Sequence, residues 1–256
     1  MIRSMRYAII ACIHANLPAL KAVLDDIKAQ NCTHVACLGD LSGYHAHPKE
    51  CVDIIRSMNI PCVKGNHDEY CSTDLALQGF QPRAMENILW TREQLSAEDR
   101  QWLRDLPQVL TLHGFTLVHA TLDRPERWGY VFDKLAAAAH FSHQLTRVCF
   151  FGHTHLPAAF IRDRNSVRGG TFSKFKLENA PQYLVNVGSV GQPRDNNPRA
   201  SYVVYDLDDQ WIELRRVDYP RPDGGDRGSV GGPLPVKTSP GAGPPSAHAS
   251  EEQDPF

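Results

Sequence analysis

The chain has 256 residues, is 42% hydrophobic and carries a formal net charge of −2. That is enough apolar material for a sizeable core, as one domain or one domain with an appendage. The balanced charge gives no strong nucleic-acid signal, and no apolar run approaches the roughly 20 residues that cross a bilayer, so no membrane partner is expected.

The seven cysteines (12, 32, 37, 51, 62, 71, 149) are odd in number and show no Cys-x-x-Cys spacing. Several sit inside apolar runs, as buried free thiols do, and a reducing, cytoplasmic location is the expectation.

Residues 7–13 read as a first strand, too short for the apolar region of a signal peptide. Asn16-Leu17-Pro18 then opens a helix whose apolar face is Leu20, Val23, Leu24 and Ile27. Residues 34–38 form the next strand, Pro48 starts a second helix, and 60–63 form a third strand. This alternation argues for a parallel sheet with right-handed crossovers. Residues 83–92 and 97–106 have helical spacing, with Ser96 and Asp99 as a capping box. Val109–Leu112 and 115–119 flank His113-Gly114 as a hairpin. Residues 131–143 read as a helix and Val148–Phe151 as a buried strand. Short β runs at 158–161, 183–187, 201–207 and Trp211–Val217 supply a second sheet, packed on the first with helices outside.

From Pro220 the composition turns to Gly, Pro, Ser and charge. Such a segment cannot bury enough surface to offset its ordering entropy. The expected organisation is a folded domain over 1–219 and a Gly/Pro-rich disordered tail over 220–256.

Five polar clusters follow apolar runs: Cys12-Ile13-His14, Gly39-Asp40, Gly65-Asn66-His67-Asp68, His119 and Gly152-His153-Thr154-His155. Open α/β sheets bind ligands at the carboxyl ends of their strands, so clusters at strand exits can converge there. His153 and His155, at i and i+2 of an extended segment, point the same way. A lone His-x-His is as a rule two surface histidines; here the glycine and the apolar strand before it favour a site. Asp40 can bridge two cations, or merely cap a turn. A turn explains Gly65 and Asn66 but not the adjacent His67 and Asp68; Asn66 offers a neutral oxygen, and Asp68 is expected to orient His67. His119 taken singly would be a core histidine. His45 and His47 could rim the site or be solvated loop residues.

In these motifs the chain resembles the calcineurin-like metallophosphoesterase superfamily, specifically its small bacterial and archaeal phosphodiesterase-like branch. The resemblance runs over about residues 5–219. It rests on 13–24, 37–52, 61–68, 152–157 and the late loop Gly188–Tyr202 (Gly-Ser-Val-Gly-Gln-Pro-Arg-Asp-Asn-Asn-Pro-Arg-Ala-Ser-Tyr). It implies an α/β fold, a four-layer αββα sandwich of two mixed β-sheets flanked by helices. It implies two divalent or trivalent metal ions, among iron, zinc and manganese, and a small phosphate-ester substrate. Position by position, the first metal would take His14, Asp40 and His155. The second would take Asp40, Asn66, His119 and His153. A metal-bridging hydroxide would attack phosphorus, His67 would assist the leaving group, and Asp68 would orient it. Arg194 would clamp phosphate or serve its own loop.

Cys12 departs from the pattern, which has an aspartate there. Either the thiol ligates as a thiolate, favouring softer ions, or it is neutral packing and the first site is weak. The expected activity is hydrolysis of phosphodiesters, with phosphomonoesters second. The alternative is a metal- or nucleotide-binding pseudoenzyme. Oligomeric state is not legible in the sequence.

Overall fold

A computed structural model of the chain describes residues 4–77, 82–164, 166–179 and 181–221. The expected tail lies outside the described residues from position 222 onward. β1 (Arg6–Ile10) and β2 (His34–Cys37) pair in parallel through the crossover helix α1 (Leu17–Ala29). α1 starts where its capping chemistry lies: the Asn16 side chain accepts the Ala19 N–H at 3.2 Å, with Pro18 in the first turn.

After α2 (Pro48–Ser57) the expected strand at 60–63 is reduced to one bridge, Cys37 to Cys62. Pro61 has no N–H to give a ladder, and only the bonds from Cys37 N–H to Pro61 O and from Val63 N–H to Cys37 O form. Asn66 does not sit in a free turn; it opens a helix, α3 (Asn66–Ser72). Asp68 closes that helix end by accepting the Gly65 N–H at 3.1 Å.

α4 (Pro82–Gln94) and α5 (Ala97–Asp105) follow, with the Ser96–Asp99 capping box closed in both directions. β3 (Val109–Leu112) and β4 (Phe115–Val118) form the hairpin. α6 spans Lys134–Phe141, shorter than 131–143, because Asp133 accepts the Ala136 N–H and fixes its start. β5 (Val148–Phe151), β6 (Ala158–Asp163), β7 (Ser166–Gly170), β8 (Lys174–Lys176), β9 (Gln182–Asn186), β10 (Ala200–Asp206) and β11 (Trp211–Val217) complete the chain. β7 and β8 were not expected. Both are sheet edges, largely exposed, and so need no apolar alternation.

The strands form two mixed sheets, β2-β1-β10-β11-β8 and β3-β4-β5-β9-β6-β7. The first is not purely parallel, since β10 lies antiparallel against β1. Period-two alternation builds the layers. Tyr7 and Ile9 of β1 meet Phe115, Leu117, Val148, Phe150, Tyr183 and Val185 of the second sheet. Ala8 and Ile10 face the other way, onto Leu20, Val23, Val52 and Ile55 of α1 and α2. Cys149 and Phe151 of β5 pack on Ala137 and Phe141 of α6. The result is the four-layer αββα sandwich. Among the described residues no helix is long and apolar enough to cross a membrane.

Candidate metal centre

The parallel strands β1, β2, β4 and β5 release their chains at one edge of the sandwich, where the ligand-bearing loops knit together. The Cys12 N–H donates to Gly39 O at 3.0 Å, His14 N–H to Asp40 O at 2.9 Å, and Gly152 N–H to His119 O at 2.9 Å. Gly65 permits a close approach, because a Cβ there would collide with Asp40 Oδ1. The Asp40 carboxylate is held in turn by the His67 N–H at 2.9 Å.

Two groups of potential ligand atoms result: Cys12, His14, Asp40 and His155, and Asp40, His119 and His153. Within each group the atoms lie within 4.8 Å of one another. Asp40 belongs to both. His14 Nε2 is 3.5 Å and His119 Nε2 3.3 Å from Asp40 Oδ2. Asn66 Oδ1 lies 3.1 Å from His119 Nε2, which is 3.2 Å from His153 Nδ1. All these side chains are buried.

Four backbone carbonyls fix which nitrogen of each ring faces inward. His14 Nδ1 contacts Ser42 O at 3.1 Å, His119 Nδ1 contacts Leu38 O at 2.7 Å, and His155 Nδ1 contacts Gln192 O at 2.7 Å. In His153 the roles reverse, with Nε2 at 3.0 Å from Trp128 O. A carbonyl only accepts, so each anchored nitrogen carries the hydrogen and the opposite one presents a lone pair. His14 Nε2 and His155 Nε2 thus stand 3.0 Å apart with two lone pairs facing. Converging lone pairs beside a carboxylate fit a cation.

The electrostatics agree. Burial, against the pull of Asp40, lowers the pKa of His14 well below its usual value and takes His153 to about 3, and burial likewise lowers His155. Neutral imidazole is the form that binds metal. His119 differs: burial opposes its protonation, but the neighbouring Asp40 carboxylate outweighs this and raises its pKa. Burial and Asp40 together push the Cys12 thiol well above its usual range.

The backbone at this edge is strained. Cys12, His14, Asp40, His153 and His155 have φ of 54°, 50°, 54°, 63° and 61°. Left-handed conformations of non-glycine residues cost on the order of 1–3 kcal/mol each and gather at functional sites.

His67 lies beside this cluster, its ring centroid 4.8 Å from that of His14 and 4.5 Å from that of Tyr44. Gly43, at φ 85°, leaves it room, since a Cβ would collide with His67 Nδ1. The expected Asp68–His67 bond is absent. The Asp68 carboxylate accepts the N–H groups of Asp40, Leu41, Ser42 and Gly65 and the Ser42 hydroxyl, while His67 Nδ1 has no hydrogen-bond partner. Asp68 therefore shapes the Asp40 loop. Arg194 sits at the rim, 2.8 Å from Gln192 Oε1 and 3.5 Å from Tyr44 Oη. Of the two rim histidines, His45 lines a cavity beside Tyr44, and His47 pairs with Glu50 on the surface.

Sequence reasoning missed Tyr44, Trp128 and Tyr130. Trp128 positions His153 by its carbonyl and stands edge-on to His119, and Tyr130 stacks on His153 with centroids 4.2 Å apart. A carbonyl contributes nothing to a side-chain motif. The alternating aromatics Trp128, Tyr130 and Phe132 were the one available signal.

Comparison with known proteins places the chain. A model for the calcineurin-like phosphoesterase superfamily domain matches residues 5–210. Uncharacterized protein MJ0912 of Methanocaldococcus jannaschii is 38% identical over 227 residues, covering 86% of this chain and 89% of its own. The crystal structure of a metallophosphoesterase from Sphaerobacter thermophilus superposes with a TM-score of 0.73 at 37% identity, covering 85% of this chain and 90% of the other. Hypothetical protein PH1004 of Pyrococcus horikoshii OT3 shares the fold, with a TM-score of 0.68 at 18% identity and coverage of 84% and 89%. The chain belongs to the calcineurin-like phosphoesterase superfamily.

Proposed function

We propose that the chain is a two-metal phosphoesterase that hydrolyses phosphodiesters, with phosphomonoesters as the second substrate class. The observation that carries the reading is the pair of ligand groups meeting at Asp40. Cys12, His14, Asp40 and His155 would hold one ion; Asp40, Asn66, His119 and His153 would hold the other. Bound cations supply Lewis acidity, lowering the pKa of a water and neutralising charge on phosphoryl oxygens.

The chain's own groups do the rest. The carbonyls of Ser42, Gln192 and Trp128 orient the rings of His14, His155 and His153, whose inward nitrogens burial keeps unprotonated, while that of Leu38 orients His119 beside Asp40. His67, buried beside His14 and free of any bond at Nδ1, would stabilise the transferring phosphoryl group or pass a proton to the departing oxygen. Asp68 would act through the Asp40 loop and not through His67. Arg194 has the fork geometry to hold a phosphate at the rim.

Cys12 supports a second reading, a metal- or nucleotide-binding protein without turnover. Its burial beside Asp40 favours the neutral thiol, so a cation would have to displace the proton to gain a thiolate. One experiment separates the readings: elemental analysis of protein purified without added metal, then an aryl phosphodiester assay across divalent ions. Bound metal with turnover supports the phosphoesterase; bound metal with no hydrolysis in any ion supports the second reading.

A further inference from the structure

Beyond the metal centre, α4 carries Arg83, Glu86, Asn87 and Trp90 at i, i+3, i+4 and i+7, which is one helix face. This is not the core face, whose buried positions are Ile88 and Thr91. It is drawn against the loop after β2 by a two-point clamp: the Tyr44 N–H donates to Asn87 Oδ1 at 2.7 Å, and Asn87 Nδ2 donates to Tyr44 O at 3.2 Å. The clamp holds Tyr44 in a left-handed conformation, φ 66°, which is costly for a residue with a side chain. Between loop and helix lies a cavity of about 400 Å³ lined by Tyr44, His45, Arg83, Glu86, Asn87 and Trp90. Tyr44 is a wall common to two spaces, because its ring also stands 4.5 Å from His67 and 4.7 Å from His14.

We propose that this cavity receives a planar aromatic group of nucleobase size, carried on the phosphate ester handled at the neighbouring centre. The proposal rests on the phosphoester reading of that centre and specifies its substrate. The volume falls within the span of small-ligand sites. Trp90 offers an aromatic face on which a base stacks with little demand on its identity, and Tyr44 closes the wall toward the metal centre. Arg83 supplies donors and Glu86 acceptors for the edge of a base or the hydroxyls of a sugar. A plain alkyl ester would use neither. The clamp makes the walls preformed, so little ordering is needed on binding.

Calorimetry with the full chain in manganese, titrated with adenosine 5′-monophosphate and with ribose 5-phosphate, tests the idea. The wild type is expected to bind the nucleotide more tightly. Trp90→Ala should reduce that preference about 5- to 150-fold, the loss of one stacking contact, and Trp90→Phe should keep most of it. Equal affinity for both compounds in the wild type overturns the proposal. So does loss of both by the same factor in Trp90→Ala, which would mean that Trp90 only holds α4. The two readings fail separately. Nucleotide preference without hydrolysis of any phosphodiester keeps the pocket and sinks the phosphoesterase; hydrolysis without nucleotide preference does the reverse.

Discussion

The backbone N–H of His153 donates to the sulfur of Cys12 at 3.3 Å, tying the loop after β5 to the loop after β1. The sulfur is thereby presented to the group that also holds His14, Asp40 and His155. Cys12→Ala is expected to lose the ion of that group, read by elemental analysis. Cys12→Asp is expected to shift preference from zinc or iron toward manganese with activity kept or increased. If Cys12→Ala retains both ions and full activity, the sulfur only packs.

His67→Ala should separate chemistry from coordination. Its ring adjoins His14 but lies outside both ligand groups. Hydrolysis is expected to fall by about 10²–10⁴-fold with metal content unchanged. Activity within a few fold of wild type would remove His67 from the mechanism.

Asp40→Asn should behave differently, because one carboxylate serves both groups. Occupancy, read by elemental analysis, and activity are expected to fall together. If this variant kept both sites filled, the carboxylate would not be the bridge.

Asp206 gives a test far from the centre. It is buried, it pairs with Arg6 at 3.0 Å, and it accepts from Ser4 Oγ and from the N–H groups of Asp208 and Asp209. Burial opposes its charge, but the Asp209 N–H, Ser4 and Arg6 outweigh it, and its pKa is lowered. A lowered folded-state pKa gives stability that is complete above the unfolded value of about 3.9 and lost as pH falls through the folded value. Asp206→Asn should therefore cost on the order of 1–3 kcal/mol near neutrality, with the difference in Tm shrinking toward pH 3. A difference constant across that range would show that Asp206 contributes no charge-linked stability.

The strand exits were legible because an apolar run ending in Gly-Asp or Gly-His breaks period and polarity together. That is why Asp40, His153 and His155 could be expected at one edge before their geometry was known, whereas His119, which follows Val118 without a glycine, gained its role only from the resemblance. Residues 60–63 misled, since apolar content promises burial and not a ladder, and Pro61 withholds the N–H that a ladder needs. Asn66-His67-Asp68 stood out as a site, but the helix that Asn66 opens did not, because its start is sealed by a side chain reaching back to Gly65, a bond that sequence spacing only hints at. Asp68 was assigned to its neighbour His67, yet it bonds residues 40–42, distant in the chain. The face Arg83–Trp90 has helical period, but what it faces depends on the Asn87 clamp.

The centre draws on both halves of the sandwich. Cys12, His14 and Asp40 follow strands of the first sheet, and His119, His153 and His155 follow strands of the second. Any ion held by these groups would act as a rivet between two sheets that otherwise meet mostly through apolar contact in their shared core. Ions that bind the folded state alone add stability in proportion to the logarithm of their concentration over Kd. Stripping them would then release the strained loops first, and opening would spread from this edge into the seam between the sheets.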